Sequence, residues 1–492
     1  MIRADDINEA LNKSWCIDNG GREITSPEVE RITAVVPDWR QLEFMKLEYY
    51  NFIHFGMNTF YKREWGDGSE DISLFNPAEL DTDQWCRVLK ETGSKAIIIT
   101  AKHHDGFCIF DTAYTDHNVM KTPFGKDIVA MLSESCRKYD MKLGVYLSPW
   151  DRHEKTYGSE EYNDFFVSQL EELCTNYGEI FCFWFDGACG EGKNGKKQIY
   201  DWGRYYATIR ELQPNAVISI CGPDVRWIGN EAGKTRKSEW SVIPESRDSN
   251  AEIIENSQKS EKKISKLQSV KETDADLGSR ELVKNYDNLI FKPAEADVSV
   301  NYGWFYNDKR FNRPSKMRTP EELAEIYFST VGGNASLLLN VPPDTRGLIS
   351  DRNVKQLKSF TSLINAPFAN EEKHYASNLI SDSYKLAPEA LFEDAQGYML
   401  QQGEKGIQLI FERAITLKAI TLREDLSFSQ RVEEFEIYAS KGKGFKKIYS
   451  GTVIGSKKIV LFSKAVKATE LLIVPTVSRG NPVLKDIRIY KK

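Results

Sequence analysis

The sequence predicts an α/β protein in two parts: a (β/α)8-like barrel of the TIM type, open to distortion, followed by a C-terminal β-sandwich. From about residue 45 to 345, short apolar runs alternate with longer amphipathic stretches, which is how parallel strands joined by crossover helices read. No strand in this region is followed by the glycine-rich turn G-x-G-x-x-G of an open doubly wound sheet, which leaves the barrel. From about residue 370 the segments become short, alternating and turn-bounded, as in a sandwich of roughly eight strands. The expected division is an N-terminal extension over 1–30, the barrel over 31–366 and the sandwich over 367–492.

Six candidate barrel strands follow in order: "YYNFIHFG" (49–56), "KAIIITAK" (95–102), "KLGVYLSPW" (142–150), "IFCFWFDG" (180–187), "AVISICGP" (216–223) and "ASLLLNVPP" (335–343). Helical patterns lie between them over 81–93, 127–140 and 163–178. Asp127 stands where an N-cap belongs, and Gly178 closes the third pattern. In the second part, "GIQLIFERAITLKAITLRED", "RVEEFEIYASK", "FKKIYSGTVI", "KKIVLFSKAVKATELLIVPTV" and "LKDIRIYKK" are the strand segments. The polar stretch 250–285 reads as a surface insertion near the barrel mouth.

Composition narrows the function classes. With 492 residues, 41% hydrophobic and 28% charged, the chain is ordinary for a globular protein of two or more domains. A net charge of −6 gives no basic footprint, so nucleic acid is a poor partner. No apolar run approaches the ~18 residues of a membrane span. The first residues, "MIRADDINEALNKSW", show no signal-peptide core. Eight cysteines form no C-x-x-C pair and read as buried free thiols. The ten Trp, 22 Tyr and 25 Phe fill a large core and can also present ring faces to a ligand.

Polar residues at the C-terminal ends of barrel strands line active sites. Here His54 ends the first apolar run, His103 and His104 the second, and Asp186 the fourth. Tyr146 and Ser148 come late in the third, and Asp224, Arg226 and Trp227 follow the fifth. Three of only six histidines fall at strand ends, which favours one shared pocket over scattered structural roles.

A metal site is disfavoured, because adjacent His103 and His104 on a strand would face opposite ways, and neither H-x-H nor H-E-x-x-H occurs. A G-x-S-x-G nucleophile elbow is absent too. Carboxylates beside aromatic and neutral hydrogen-bonding side chains suit a sugar, whose apolar face stacks while its hydroxyls are held. Glycoside cleavage then needs two carboxyl groups. On pattern alone, Asp186 fits either the nucleophile or a helix N-cap.

"NFIHFGMNTFYKREWGDG", "ITAKHHDGFCIFDT", "GVYLSPWDRH", "FWFDGACGEG", "GPDVRWIGNEAGKTRKSEW", "PAEADVSVNYGWFY" and "NASLLLNVPPDTRG" closely resemble the α-L-fucosidases of glycoside hydrolase family 29. The resemblance spans about residues 30–365. The "GNEAG…SEW" and "PAEADVS…GWFY" stretches are similar to the subfamily acting on α-1,3 and α-1,4 linkages of branched glycans. It implies a distorted barrel plus sandwich, a retaining mechanism, no metal and no cofactor, with fucosylated glycans as partners. It also implies the roles. Asp186 is the nucleophile and Glu231 the acid/base, with Glu239 the runner-up. His54, Glu64, Trp65, His103, His104, Tyr146, Trp184, Arg226 and Trp304 bind the sugar or close the site. Bacterial members are commonly exported, which implies a periplasmic or secreted address. A broad-specificity fucosidase that also takes α-1,2 linkages, or a weakly active, lectin-like relative, is the alternative. The sandwich is expected to brace the barrel rather than bind glycan.

Overall fold

The computed structural model describes residues 11–15, 24–245, 274–308, 317–381, 385–394 and 396–492. Eight parallel strands form the first part: β1 (Tyr49–Ile53), β2 (Ala96–Lys102), β3 (Lys142–Leu147), β4 (Ile180–Phe185), β5 (Val217–Ile220), β6 (Arg226–Trp227), β9 (Ala294–Ser299) and β10 (Ala335–Asn340). They pair in the order β5-β4-β3-β2-β1-β10-β9-β6, and the ring nearly closes where Ile220 N–H donates to the Val225 carbonyl at 3.0 Å. Residues 221–225 join β5 to β6 with no helix between them, which is the distortion. A separate antiparallel pair, β7 (Val242–Pro244) and β8 (Leu289–Phe291), lies between β6 and β9 in the chain.

All six strand segments read from the sequence contain a strand. β6 and β9 were not read: β6 is two residues long, and β9, "AEADVS", carries two carboxylates that hide its period. The three helical patterns form Thr82–Lys90, Ile128–Lys138 and Glu161–Asn176. Asp127 caps the second, its carboxylate accepting from Ala130 N–H at 2.8 Å, and Gly178 follows the third in the left-handed region at φ 81°.

Side chains two apart on a strand share a face, and this alternation fills the barrel in layers. Tyr50, Phe52 and then His54 rise along β1. Cys182, Trp184 and Asp186 do so along β4, and Glu295 and Asp297 along β9. The middle layer is in contact: Phe52 lies 5.1 Å from Trp184 and 5.9 Å from Tyr146, ring centre to ring centre. Trp184 Nε1 donates to Glu295 at 2.6 Å. The layer above it opens at the C-terminal mouth.

Among the described residues, the second part is a nine-stranded antiparallel sheet folded into two layers. It is built on two long strands, Gly406–Glu424 and Lys458–Ser478. They pair along most of their length, with register shifts between Ile410 and Ile415 and between Leu417 and Ala419. The bulges let one strand bend and serve both layers, so each of these stretches is one long continuous strand and not the short, turn-bounded segment the sequence pattern predicts. Trp15, from the N-terminal stretch, joins this second core and donates from Nε1 to the Glu404 carbonyl at 3.1 Å.

The two parts are tied together by buried polar contacts. Gln430 of the sandwich accepts from Ser241 N–H at 2.8 Å and donates to the Glu239 carbonyl at 3.2 Å. Arg423 and Lys457 both pair with Glu48, just before β1. Of the expected insertion 250–285, residues 250–273 lie outside the described ones. Its remainder is no free loop, because Arg280 pairs with Glu433 and donates to the Ser478 carbonyl at 2.6 Å.

Candidate active site

A cavity of about 260 Å³ opens at the C-terminal ends of the barrel strands. His54, Glu64, Trp65, His103, His104, Trp184, Asp186, Glu231 and Trp304 all line it. Tyr146 lies beneath it and reaches it through Asp186. Arg226 and Glu239 lie elsewhere.

Asp186 extends one step beyond β4. Its Oδ2 accepts from Tyr146 OH at 3.0 Å and stands 3.7 Å from His104 Nε2, while Oδ1 accepts from Ala188 N–H at 2.8 Å. The next helix begins only at Trp202 and is capped by Asp201, so Asp186 is not its N-cap. A quarter of the Asp186 side chain remains exposed, toward the cavity.

The opposite-faces expectation for His103 and His104 fails. β2 ends at Lys102, so both residues sit on the turn beyond it, where strand alternation no longer applies. Their ring centres are 4.1 Å apart, and both line the cavity. Among the described residues, no group of three or more His, Cys, Asp or Glu stands where it could hold a metal ion. Burial drives the imidazoles toward the neutral form, lowering His54 to about 3, His104 to about 4 and His103 well below its ordinary value. At neutral pH the three rings are uncharged hydrogen-bonding groups.

Trp65, half exposed, stands edge-on to His104 and Trp150 at 5.5 Å from each. Trp304 covers the His54 side with its ring at 5.1 Å, and its backbone N–H donates to Glu64 Oε2 at 2.7 Å. Together these rings offer flat apolar faces at the cavity rim.

The two loop glutamates differ sharply. Glu231 lines the cavity, and burial together with the charge of Asp186 raises its carboxyl above the ordinary value. Glu239 is wholly buried and paired with Arg226 and Arg236, whose charges overcome the opposing effect of burial and hold it low. This pairing also removes Arg226 from the site: its guanidinium donates to Glu239 and to the Trp240 carbonyl, and the chain directs it away from the cavity. Asp224 is likewise structural, since it receives Arg210 and Ile218 N–H at 2.6 and 2.7 Å.

Several cavity residues were not singled out as site residues in the sequence. Asp297 on β9 accepts at 2.6 Å from Nε1 of Trp227, which the strand-end pattern points to, and both line the cavity. Burial and the nearby Glu231 raise the Asp297 carboxyl well above its ordinary value. One layer down, burial brings Glu295 to about 7. The signal was present: "EAD" places two carboxylates on one face of a buried strand, the same anomaly that marks Asp186. Ile220 also lines the cavity at φ 67°, a left-handed conformation that opposes a β-branched side chain and marks strain at the β5–β6 gap.

A parallel barrel with carboxyl groups and aromatic faces gathered at its C-terminal mouth defines a carbohydrate-cleaving enzyme. The comparisons narrow it. The alpha-L-fucosidase family profile matches residues 31–366. The chain is 34% identical to Alpha-L-fucosidase 1 of Arabidopsis thaliana over 475 residues, covering 92% of this chain and 87% of that one. Among solved structures, SpGH29 superposes with a TM-score of 0.79 at 31% identity, over 93% of this chain and 98% of that one. A family 29 fucosidase of Ruminococcus gnavus in complex with fucose gives 0.76 at 27% identity, over 96% and 97%. The chain belongs to the alpha-L-fucosidase family, glycoside hydrolase family 29.

Proposed function

We propose that this fucosidase is a retaining exo-enzyme that removes terminal L-fucose from α-1,3 and α-1,4 linkages of branched, Lewis-type glycans. The observation that carries the chemistry is the pairing of Asp186 and Glu231 in one cavity, with Glu231 raised by burial and by Asp186 itself. Asp186, one step beyond a barrel strand, attacks the anomeric carbon through its carboxylate. Glu231 gives its proton to the departing oxygen, and a fucosyl ester forms on Asp186. The ester removes the negative charge beside Glu231, whose affinity for protons then falls, and the resulting carboxylate activates water for the second displacement. Tyr146 steadies Asp186, the three histidines and Glu64 hold hydroxyls, and Trp65, Trp184 and Trp304 meet the apolar parts of the sugar. Fucose leaves with its configuration retained.

For linkage, the support is the carboxyl and indole of Asp297 and Trp227, which line the cavity with Glu231 and would suit a neighbouring sugar that a branched glycan supplies. Such remote contacts become rate when they are made in the transition state. The test is a side-by-side assay on 1,2-, 1,3- and 1,4-linked fucosides with the first-formed anomer followed by NMR. Branched 1,3 and 1,4 substrates should be cleaved far faster, and α-fucose should appear first. Equal rates on all three remove the linkage assignment, and β-fucose first removes retention.

A further inference from the structure

His54 and His104 both line the cavity, and in each the ring nitrogen facing away from it has a partner that settles where the proton sits. His54 Nδ1 lies 2.9 Å from Asn340 Oδ1. The orientation of that amide is fixed, because Asn340 Nδ2 donates to the Trp304 carbonyl at 2.8 Å and to Ser299 Oγ at 2.9 Å, and Oδ1 also accepts from His54 N–H at 3.2 Å. Facing an acceptor, His54 Nδ1 must carry the hydrogen. His104 Nδ1 lies 2.7 Å from Ser148 Oγ, whose single proton goes to the Trp150 carbonyl at 2.6 Å. The serine oxygen is therefore the acceptor, and His104 Nδ1 is the donor.

We propose that Asn340 and Ser148 are positioning residues that hold His54 and His104 in the Nδ1–H form. Both Nε2 atoms then present lone pairs to the cavity, and the sugar hydroxyls that meet them must donate. Burial, which lowers both imidazoles, keeps the rings neutral. The consequence reaches the nucleophile. His104 Nε2 stands 3.7 Å from Asp186 Oδ2 and, without a hydrogen, donates nothing to it. A donor there would satisfy the carboxylate and blunt its attack, whereas a lone pair leaves Asp186 to Tyr146, the Ala188 N–H and the substrate. The inference rests on the fucosidase reading for the identity of the hydroxyls, but not for the tautomers.

The test is a long-range ¹H–¹⁵N spectrum of ring nitrogens in the histidine-labelled full chain at neutral pH. The chain has six histidines, and His54→Gln and His104→Gln assign the two of interest. Both rings should show a protonated Nδ1 and a bare Nε2. A protonated Nε2 on either ring, alone or in an imidazolium, overturns the proposal for that ring. Ser148→Ala should shift His104 toward the Nε2–H form and lower kcat/KM by about tenfold or more, as expected when a buried group loses its match. An unchanged His104 spectrum in that variant overturns the role of Ser148. Binding of fucose analogues supplies the substrate side. At the hydroxyls facing Nε2, a fluoro substituent should bind as weakly as the deoxy sugar, because fluorine cannot donate. Fluoro analogues that bind like fucose at every position contradict the acceptor role. A protein with bare Nε2 atoms and no affinity for fucose would instead contradict the fucosidase reading and leave the tautomers standing.

Discussion

At the scale of single residues, the account turns on which glutamate gives the proton. Loss of a general acid is felt most when the leaving oxygen is a poor one. Glu231→Ala should nearly abolish cleavage of oligosaccharides yet spare the first step on an activated aryl fucoside, with added azide restoring turnover and yielding β-fucosyl azide. Glu239→Ala should behave differently. It leaves two buried guanidinium charges without the carboxylate that neutralises them, and should cost about 3–5 kcal/mol of stability in denaturant unfolding with no azide rescue. Rescue in Glu239→Ala and not in Glu231→Ala exchanges the two roles. The buried histidines make a separate prediction. Their folded pKa values lie below the ordinary 6.5, at about 3 for His54 and about 4 for His104 and His117. Below pH 6.5 the unfolded chain takes up protons that the folded chain refuses, so these groups make stability fall as pH drops from 6.5 toward 4. Raised carboxyls such as Glu295, at about 7, act in the opposite sense over the same range. The check is therefore the stability difference between wild type and His54→Gln, which should move against wild type as pH falls from 6.5 toward 4. A difference that is flat or moves the other way would contradict a neutral, buried ring.

At the scale of elements, the loop carrying Glu64 and Trp65 is held by its own backbone. Gly68 sits at φ 77°, and a Cβ there would stand 2.4 Å from the Arg152 carbonyl oxygen. Its carbonyl in turn accepts from His153 Nδ1 at 2.8 Å and Lys193 Nζ at 3.1 Å. Gly68→Ala should cost about 1–3 kcal/mol and raise KM as Trp65 moves. Gly178→Ala, also left-handed but with open space around it at the opposite end of the barrel, should destabilise mildly and leave KM unchanged. Equal effects on KM would separate the loop from binding. The barrel was legible in the sequence because six of its strands are long apolar runs ending in polar residues. β6 and β9 were not, the first for want of length and the second because Glu295 and Asp297 break its apolar pattern. The same carboxylates are what make β9 part of the site. His54, His103, His104 and Asp186 were legible from strand ends alone. Glu64, Trp65, Glu231 and Trp304 lie on loops, where no periodicity locates a side chain, and only the family resemblance pointed to them. The placement of Arg226 failed because a charged residue after a strand looks the same whether it faces the cavity or a buried partner.

At the scale of the whole molecule, the sandwich grips the segment that follows the Glu231 loop, through Gln430, and the entrance to β1, through Glu48. Burial alone would raise the Glu48 carboxyl, yet Lys457 and Arg423 hold it down at about 2. This contribution is present in full above the ordinary 4.5 and is lost as pH falls toward 2. Glu48→Gln should cost about 2 kcal/mol at pH 6, less than the ~3–5 of a fully buried pair, because 19% of the Glu48 side chain remains exposed. The difference from wild type should vanish near pH 2, and one that persists there would remove the ion pairs as its cause. The central claim, that a barrel strand presents Asp186 as the nucleophile of a retaining fucosidase, is tested most directly by trapping the intermediate. The enzyme is incubated with a 2-deoxy-2-fluoro-fucosyl fluoride, digested, and its peptides mapped by mass spectrometry. A single fucosyl ester on Asp186, absent from an Asp186→Asn variant that folds but has lost turnover by several orders of magnitude, is the predicted result. An ester on another carboxylate, or none while wild type still turns over and Asp186→Asn keeps near-normal activity, would contradict it.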